Sequence, residues 1–334
     1  MSTLRMQSIH FLLFLTTLVA ATLLSAADAY AVSPFALPLS AFSAVNAGGG
    51  DATTLGGMMS TLTENLTNFP LLFSAVSYLM GLVFCAYGLL NFVKHVDNPS
   101  REPINTPIRY LFAGAFFIAL PALAGIAVRT FGLADGDALD LGLEGLKGGQ
   151  VGTVDGMLMS LSSDIYGPSL MLLSAFSYVA GIFVLMNAIF RLTKSMDQGP
   201  RGPLGLGTVM SFFLAAILLS APQALSGISS TLFGDAGIVT NPVFADGAGM
   251  DADLKARAEA IMTAIESFLI IIGVISFFRG WFILRSVADG NGQATAMSAF
   301  SHIIAGVIAV NIGPFVNAVQ QTFGLDPANG LLFQ

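Results

Sequence analysis

The sequence predicts an all-α integral membrane protein, with six transmembrane helices built as three tandem helix–turn–helix hairpin repeats behind a cleaved signal peptide. Three observations lead there: the composition is too apolar for a water-facing surface, six apolar runs have membrane-crossing length, and one set of landmark residues recurs at near-constant spacing. Of 334 residues, 54% are hydrophobic and 10% charged, where a soluble domain carries roughly 25% charged residues. Charges this sparse leave apolar surface that lipid must cover. The same composition excludes a disordered chain. Thirteen Lys+Arg against twenty Asp+Glu leave a net charge of -7. That balance argues against direct nucleic-acid binding, which needs clustered basic residues facing phosphate. Cys85 is the single cysteine, so no disulfide can form within the chain.

Residues 1–31 read as a signal peptide. Arg5 and His10 precede the apolar run Phe11–Ser25, and Ala29-Tyr30-Ala31 supplies the small-x-small pattern of a cleavage site after Ala31. Retention of the segment as an uncleaved signal anchor is the alternative. Either way, residues 32–69 form an extracytoplasmic N-terminal arm, with a helical stretch around Met58–Leu66.

Apolar segments follow at about 70–93, 107–128, 168–190, 206–228, 262–284 and 297–319. Each is long enough to cross a hydrocarbon core of ~30 Å as a helix rising 1.5 Å per residue. They are continuous apolar runs, not the alternating pattern of a membrane barrel, so each must satisfy its backbone internally as a helix. Transmembrane hairpin 1 is 70–132, followed by an acidic outer loop at 133–167. Hairpin 2 is 168–234, a second acidic outer loop is 235–261, hairpin 3 is 262–324, and 325–334 is an outer tail.

Loop charges orient the hairpins. Lys94, Arg101 and Arg109, then Arg191, Lys194 and Arg201, then Arg279 and Arg285 lie in or beside three short turns. Asp135, Asp137, Asp140 and Glu144, with Asp246, Asp251 and Asp253, lie in the opposite loops. Basic residues stay cytoplasmic, which makes the short turns cytoplasmic and their Lys and Arg residues anchors at that side. The signal peptide gives the same orientation independently, since it delivers residue 32 outside.

A self-comparison yields the repeat. Ser74-Ala-Val-Ser-Tyr-Leu-Met-Gly81 returns as Ser174-Ala-Phe-Ser-Tyr-Val-Ala-Gly181, and the match continues through Lys94/Lys194, Asp97/Asp197, Arg101/Arg201 and Pro103/Pro203. A fainter third copy holds Gly273, Asp289, Pro314 and Phe323-Gly324. The Gly-to-Asp spacing is 16 in all three copies, and Asp-to-Pro is 24, 25 and 25. Ser77-x-x-x-Gly81-x-x-x-Cys85 forms a small-residue ridge, half repeated by Ser177 and Gly181, and such ridges, with Gly273 in the third copy, let a second helix approach closely. Ordinary helix packing is favoured here over a ligand site. Asp97, Asp197 and Asp289 fall just past helix ends in turn-forming contexts, and read as turn or capping residues. Pro121, Pro222 and Pro314 fall late in the second helix of each unit and read as kinks, serving as hinges or only setting helix direction.

The inventory for chemistry is nearly empty. The histidines are His10, His95 and His302, no Cys/His or carboxylate spacing suits a metal, and Cys85 reads as a packing residue. Gly145–Gly152 lacks the Lys-Ser/Thr of a phosphate loop, and Asp135-Gly-Asp137 with Asp140 lacks a calcium-loop pattern. No catalytic, cofactor-binding or metal-binding residue is expected, and no enzyme activity. Within or beside the spans stand Arg279, placed to snorkel, Glu266 and Arg129 near outer ends, His302, and the polar Asn91, Asn187 and Asn311. Asp251-Ala-Asp-Leu-Lys-Ala-Arg-Ala-Glu reads as the capped start of a helix leading into the fifth span.

Ser77-Tyr78-Leu79-Met80-Gly81, the turn from Lys94 to Arg101, and Pro121 with Phe131-Gly132, together with their counterparts in the second unit, carry a resemblance. The chain is similar to small inner-membrane proteins of type IVB secretion and conjugation systems, of the IcmC/DotE and TraQ-like type. The resemblance covers about 70–234 well and 262–324 weakly. It implies a non-enzymatic structural or docking subunit in the bacterial inner membrane, whose small-residue helix faces pack against other membrane subunits of the complex or against copies of itself, and it supplies no catalytic residues. The alternative expectation is a small-solute or ion channel or transporter with three hairpins around a pore.

Overall fold

The structure, a computed structural model, describes residues 54–66, 69–99, 103–130, 154–194, 196–234, 242–244, 251–324 and 331–333. The expected signal segment at 1–31, most of the expected arm, Arg101, Phe131-Gly132, the acidic stretch at 133–153 and most of 325–334 lie outside the described residues.

The described chain is mostly helical. After α1 (Leu55–Leu66), three groups follow in order: α2 (Phe69–Asp97), α3 (Asn105–Ile118) and α4 (Leu120–Thr130); α5 (Val154–Leu192), α6 (Leu206–Leu219) and α7 (Ala221–Phe233); α8 (Ala252–Ala288), α9 (Ala296–Val310) and α10 (Ile312–Thr322). A long helix is thus followed three times by a shorter helix and a short continuation. Among the described residues, four helical stretches are long and apolar enough to cross a membrane, namely α2, α5, α8 and Gln198–Leu219, which is α6 with the short turn before it; the number rises to six when each bent pair counts as one span.

At 1.5 Å per residue, the 14 residues of α3 and the 15 of α9 reach only about 21–23 Å, short of a ~30 Å core. Each is followed across a break by a second piece at a steep angle, 64° for α3–α4 and 89° for α9–α10, so each bent pair is a broken span or a re-entrant loop. The 39 residues of α5 and 37 of α8 run to about 55–59 Å and overshoot the core. The overshoot moves one expected boundary. Residues 154–167, placed in an outer loop by sequence, are the first turns of α5, which continues through Pro168. Helix α8 begins at Ala252 with Asp251 at its N-cap position, where the sequence reading puts the helix start, but without a side-chain capping bond.

Within each group the long helix packs along its partner: α2 on α3, α5 on α6, and α8 on α9. The middle group is central, since α5 also meets α3 on one side and α8 on the other. Its interior is apolar, with Phe117, Ile182, Ile189, Leu214, Leu218, Ile270, Val274 and Phe277 fully buried. By contrast α2 is the least enclosed long helix, and Leu72, Leu79, Leu82, Val83 and Leu90 on it are exposed. These side chains suit contact with lipid.

The end of the molecule away from the basic turns holds two features that the sequence reading lacks. A two-stranded antiparallel sheet joins β1 (Pro242–Phe244) to β2 (Leu331–Phe333), with Val243 opposite Leu332. Asn317 of α10 brackets β2, donating from Nδ2 to the Phe333 carbonyl at 2.9 Å and accepting from the Phe333 amide at 3.2 Å. Helix α1, expected around Met58–Leu66, is pinned to α5 by Asp164, whose carboxylate accepts from the Thr54 hydroxyl at 2.9 Å and from the Gly56 amide at 3.0 Å. An acid from a neighbouring helix thereby satisfies an amide at the N-terminus of α1.

Candidate functional site

The residues that the sequence singles out fall into two kinds of place: seams inside each hairpin and contacts between hairpins. The seams are built on glycine. A Cβ at Gly81 would stand 2.6 Å from Ile118 Cγ1 and 2.9 Å from the Gly114 carbonyl oxygen. One at Gly181 would stand 2.9 Å from Leu219 Cγ, and one at Gly273 would stand 2.8 Å from the Gly306 carbonyl oxygen. All three glycines therefore let the two helices of one hairpin approach to backbone contact. Ser77 and Ser177 share the same faces, buried, with each hydroxyl donating back to the carbonyl three residues earlier, at 2.8 and 2.9 Å. Cys85 faces Gly114, where an added Cβ would meet its Sγ at 2.5 Å. This placement corrects one expectation. The small-residue faces are occupied inside the chain and are not free to pack on other subunits.

Sequence reasoning missed further glycines in the first and third seams. Gly114, Gly280 and Gly306 are as tightly confined as the landmarks, and Gly306 would bring a Cβ to 2.6 Å from the Phe277 amide nitrogen. Their spacing was available, since Gly273 and Gly280 lie one heptad apart, but they fall outside the landmarks shared by all three copies.

Between hairpins 1 and 2 the contact is aromatic. Phe84, Phe117 and Phe190 meet with ring centroids 4.8–5.5 Å apart. At the basic end, Arg109 donates to the Lys194 carbonyl at 2.5 Å. Between hairpins 2 and 3, Phe213 meets Trp281 at 5.7 Å. Below that ring pair stands the most concentrated charge of the interior. The Arg191 guanidinium grips the Asp289 carboxylate with two parallel bonds, Nη1 to Oδ1 and Nη2 to Oδ2, the second at 2.8 Å. Side-chain exposures are only 9% and 14%. Arg285 donates from Nε to Ser211 Oγ at 3.0 Å, tying α8 to α6 beside the pair.

Local structure explains why these groups meet. α8 ends at Asp289 because Gly290 takes φ 79°, and the Asn291 and Gly290 amides bond back to Ser286 and Val287 at 3.1 and 3.0 Å. Gly207, in the first turn of α6, leaves the space into which the Asp289 carboxylate fits; a side chain there would strike it. Burial alone would push the Asp289 carboxyl upward. The Arg191 hydrogen bonds, with the charges of Arg191, Arg285 and Arg201, outweigh it and hold the group below its ordinary value.

Two expected roles change as a result. Asp289 is not a local turn cap, because its carboxylate bridges to another hairpin. Arg191 and Arg285 are not anchors reaching for headgroups, because their guanidinium groups turn inward to polar partners. The reason is the same for both: a buried acid and buried base stabilise each other better than either meets lipid. Of the other expected anchors, Lys94, Lys194, Arg201 and Arg279 are exposed, and Arg101 lies outside the described residues. Asp97 is the exposed last residue of α2, and Asp197 lies in the short 3-10 turn Met196–Arg201.

The prolines occupy a different position from the one expected. The breaks fall at Ala119, Ser220 and Asn311. Pro121, Pro222 and Pro314 follow two, two and three residues later, within the first turn of α4, α7 and α10. Their missing amides are in a turn where no intrahelical acceptor exists, so they begin new helices and do not kink continuous ones. Asn311 holds the third break, donating from Nδ2 to Ser229 Oγ at 2.7 Å and to the Val307 carbonyl at 2.8 Å.

Among the described residues, no group of three or more His, Cys, Asp or Glu is placed to hold a metal ion. No family model, curated protein or solved structure matches the chain.

Proposed function

We propose that the chain is a polytopic inner-membrane subunit of a type IV secretion or conjugation apparatus, serving as a non-enzymatic structural or docking component. In this reading three copies of one hairpin stand side by side in the bilayer, with basic turns in the cytoplasm and acidic segments outside, behind a cleaved signal. The observation that carries it is the way interior polar groups are used. Arg191 meets Asp289, Ser162 meets Ser267, and Asn311 meets Ser229, each pair joining two hairpins. Polar groups spent on holding hairpins together favour a fixed scaffold over a solute path. The recurrent Ser-Tyr-x-x-Gly helices, the basic Asp-containing turns and the resemblance they carry supply the choice of apparatus.

A solute or ion channel or transporter is the second reading, and the broken helices favour it, because transporter sites are often framed by discontinuous helices. The two separate experimentally. On the scaffold reading, the tagged chain purifies from native membranes within a large complex containing secretion ATPase and envelope subunits, and the purified chain alone in liposomes passes neither ions nor solute. Isolation as a lone small oligomer that conducts or accumulates a solute would contradict it.

A further inference from the structure

One carboxyl group inside the bundle has no part in the packing. Glu266 of α8 is 3% exposed, yet neither oxygen of its carboxyl has a hydrogen-bond partner among the described residues. Its neighbour Ser267 is fully engaged, meeting Ser162 Oγ of α5 and donating to the Ala264 carbonyl at 2.7 Å. The third hairpin is alone in carrying an acid at this register. Seven residues before Gly81, Gly181 and Gly273 stand Ser74, Ser174 and Glu266. Serine suffices there twice, so packing does not call for a carboxyl group.

Among the described residues no positive charge is at hand to balance an ionised Glu266. On α8 itself, Lys255 and Arg257 stand near the helix start, Arg257 pairing with Asp253 at 3.1 Å, Glu259 accepts from the Phe244 amide at 2.9 Å, and Arg279 and Arg285 lie more than three turns away toward the other end. α5 carries Asp155, Asp164, Tyr166, Tyr178 and, at its far end, Arg191; Asp164 is taken by Thr54 and Gly56. α6 and α10 have no charged residue, β1 has none, and α9 has only His302, whose backbone carbonyl accepts from Ser276 ten residues beyond Glu266. A carboxylate buried without a cation or donor is not sustainable in a low-dielectric interior. A metal ion in its place would need several free oxygen donors, and the hydroxyls of Ser162 and Ser267 are bonded to each other; among the described residues no group of three or more His, Cys, Asp or Glu could hold a metal.

We propose that Glu266 is a proton-binding site inside the bundle: its carboxyl group carries a dissociable proton in the packed state and releases it when water reaches that part of α8. The proposal is independent of the secretion reading, since a scaffold or a transporter can hold such a group.

Infrared difference spectroscopy of the full chain in liposomes, parent minus E266Q, tests it. At neutral pH the difference contains the C=O stretch of a neutral carboxylic acid, shifted in D2O. That band is lost at strongly alkaline pH and is unchanged when sodium or potassium is exchanged for choline. Carboxylate bands alone at neutral pH, or loss of the acid band on adding sodium at fixed pH, would overturn the proposal. Thermal unfolding gives a second readout. E266Q melts with the parent at acid pH and above it at alkaline pH, where the parent must bury a charge; an E266Q protein less stable than the parent at every pH would show an ionised, partnered glutamate instead.

Discussion

At the scale of single residues, the space around each glycine decides what a substitution does. Gly306 faces backbone on every side, with the Phe277 amide nitrogen and the Gly273 carbonyl oxygen within 2.7 Å of an added Cβ. Backbone cannot step aside as a side chain can, so Gly306→Ala should destabilise by about 2–3 kcal/mol through overpacking. Gly125 in α4 has nothing within 4 Å of the same position, and Gly125→Ala should be neutral or stabilising by up to about 1 kcal/mol. Thermal unfolding in one detergent checks both, and equal effects would remove the packing role of Gly306. The Arg191–Asp289 pair makes a different claim. Asp289→Ala leaves a buried guanidinium without its counter-charge and should cost about 3 kcal/mol, while Asp97→Ala, at an exposed helix end, should stay within about 0.5 kcal/mol. The pair also sets a pH dependence. Because the Asp289 carboxyl is held below its ordinary value, its contribution is complete above the unfolded value of about 3.9 and is lost as pH falls through the still lower folded value. Acid titration of stability should therefore show a step below about pH 4 that D289N lacks.

At the scale of elements, the sequence was informative about helices and poorly informative about their ends. Long helices were legible because their apolar runs are continuous. The breaks were not, because Ala119 and Ser220 are ordinary residues and the prolines that mark the sites sit two or three positions downstream. A proline in a first turn gives up no hydrogen bond, so Pro222→Ala should change stability by less than about 1 kcal/mol and leave the break in place. Asn311→Ala removes two donated bonds and should loosen the α9–α10 corner by about 1–3 kcal/mol. Hydrogen exchange at the amides of 309–316 distinguishes the two, faster in N311A and unchanged around residue 220 in P222A. The strand pair β1–β2 was illegible for a simpler reason: three residues of each strand are too few to show alternation, and the partners are separated by the whole third hairpin.

At the scale of the whole molecule, the landmarks found by self-comparison were legible as positions and not as partners. Gly81, Gly181 and Gly273 stand out in the sequence as candidate packing residues, and the structure places their neighbours within the same hairpin. The Arg191–Asp289 contact was beyond sequence reasoning, because it joins two positions 98 residues apart that are not equivalent in the repeat. Glu266 was visible as an acid near a span end, but its enclosure depends on how α8 packs in the bundle. Three side-by-side hairpins, each turning on the basic side of one bilayer, remain the central claim. Substituted-cysteine labelling in intact cells and inverted vesicles, on a Cys85→Ala background, tests it most directly. Cysteines at residues 98, 198 and 292, one in each basic turn, should react with a membrane-impermeant maleimide only from the cytoplasmic face, and one at residue 148 only from outside. Labelling of residue 98 or 198 from outside, or of the three turns from different faces, would contradict the account.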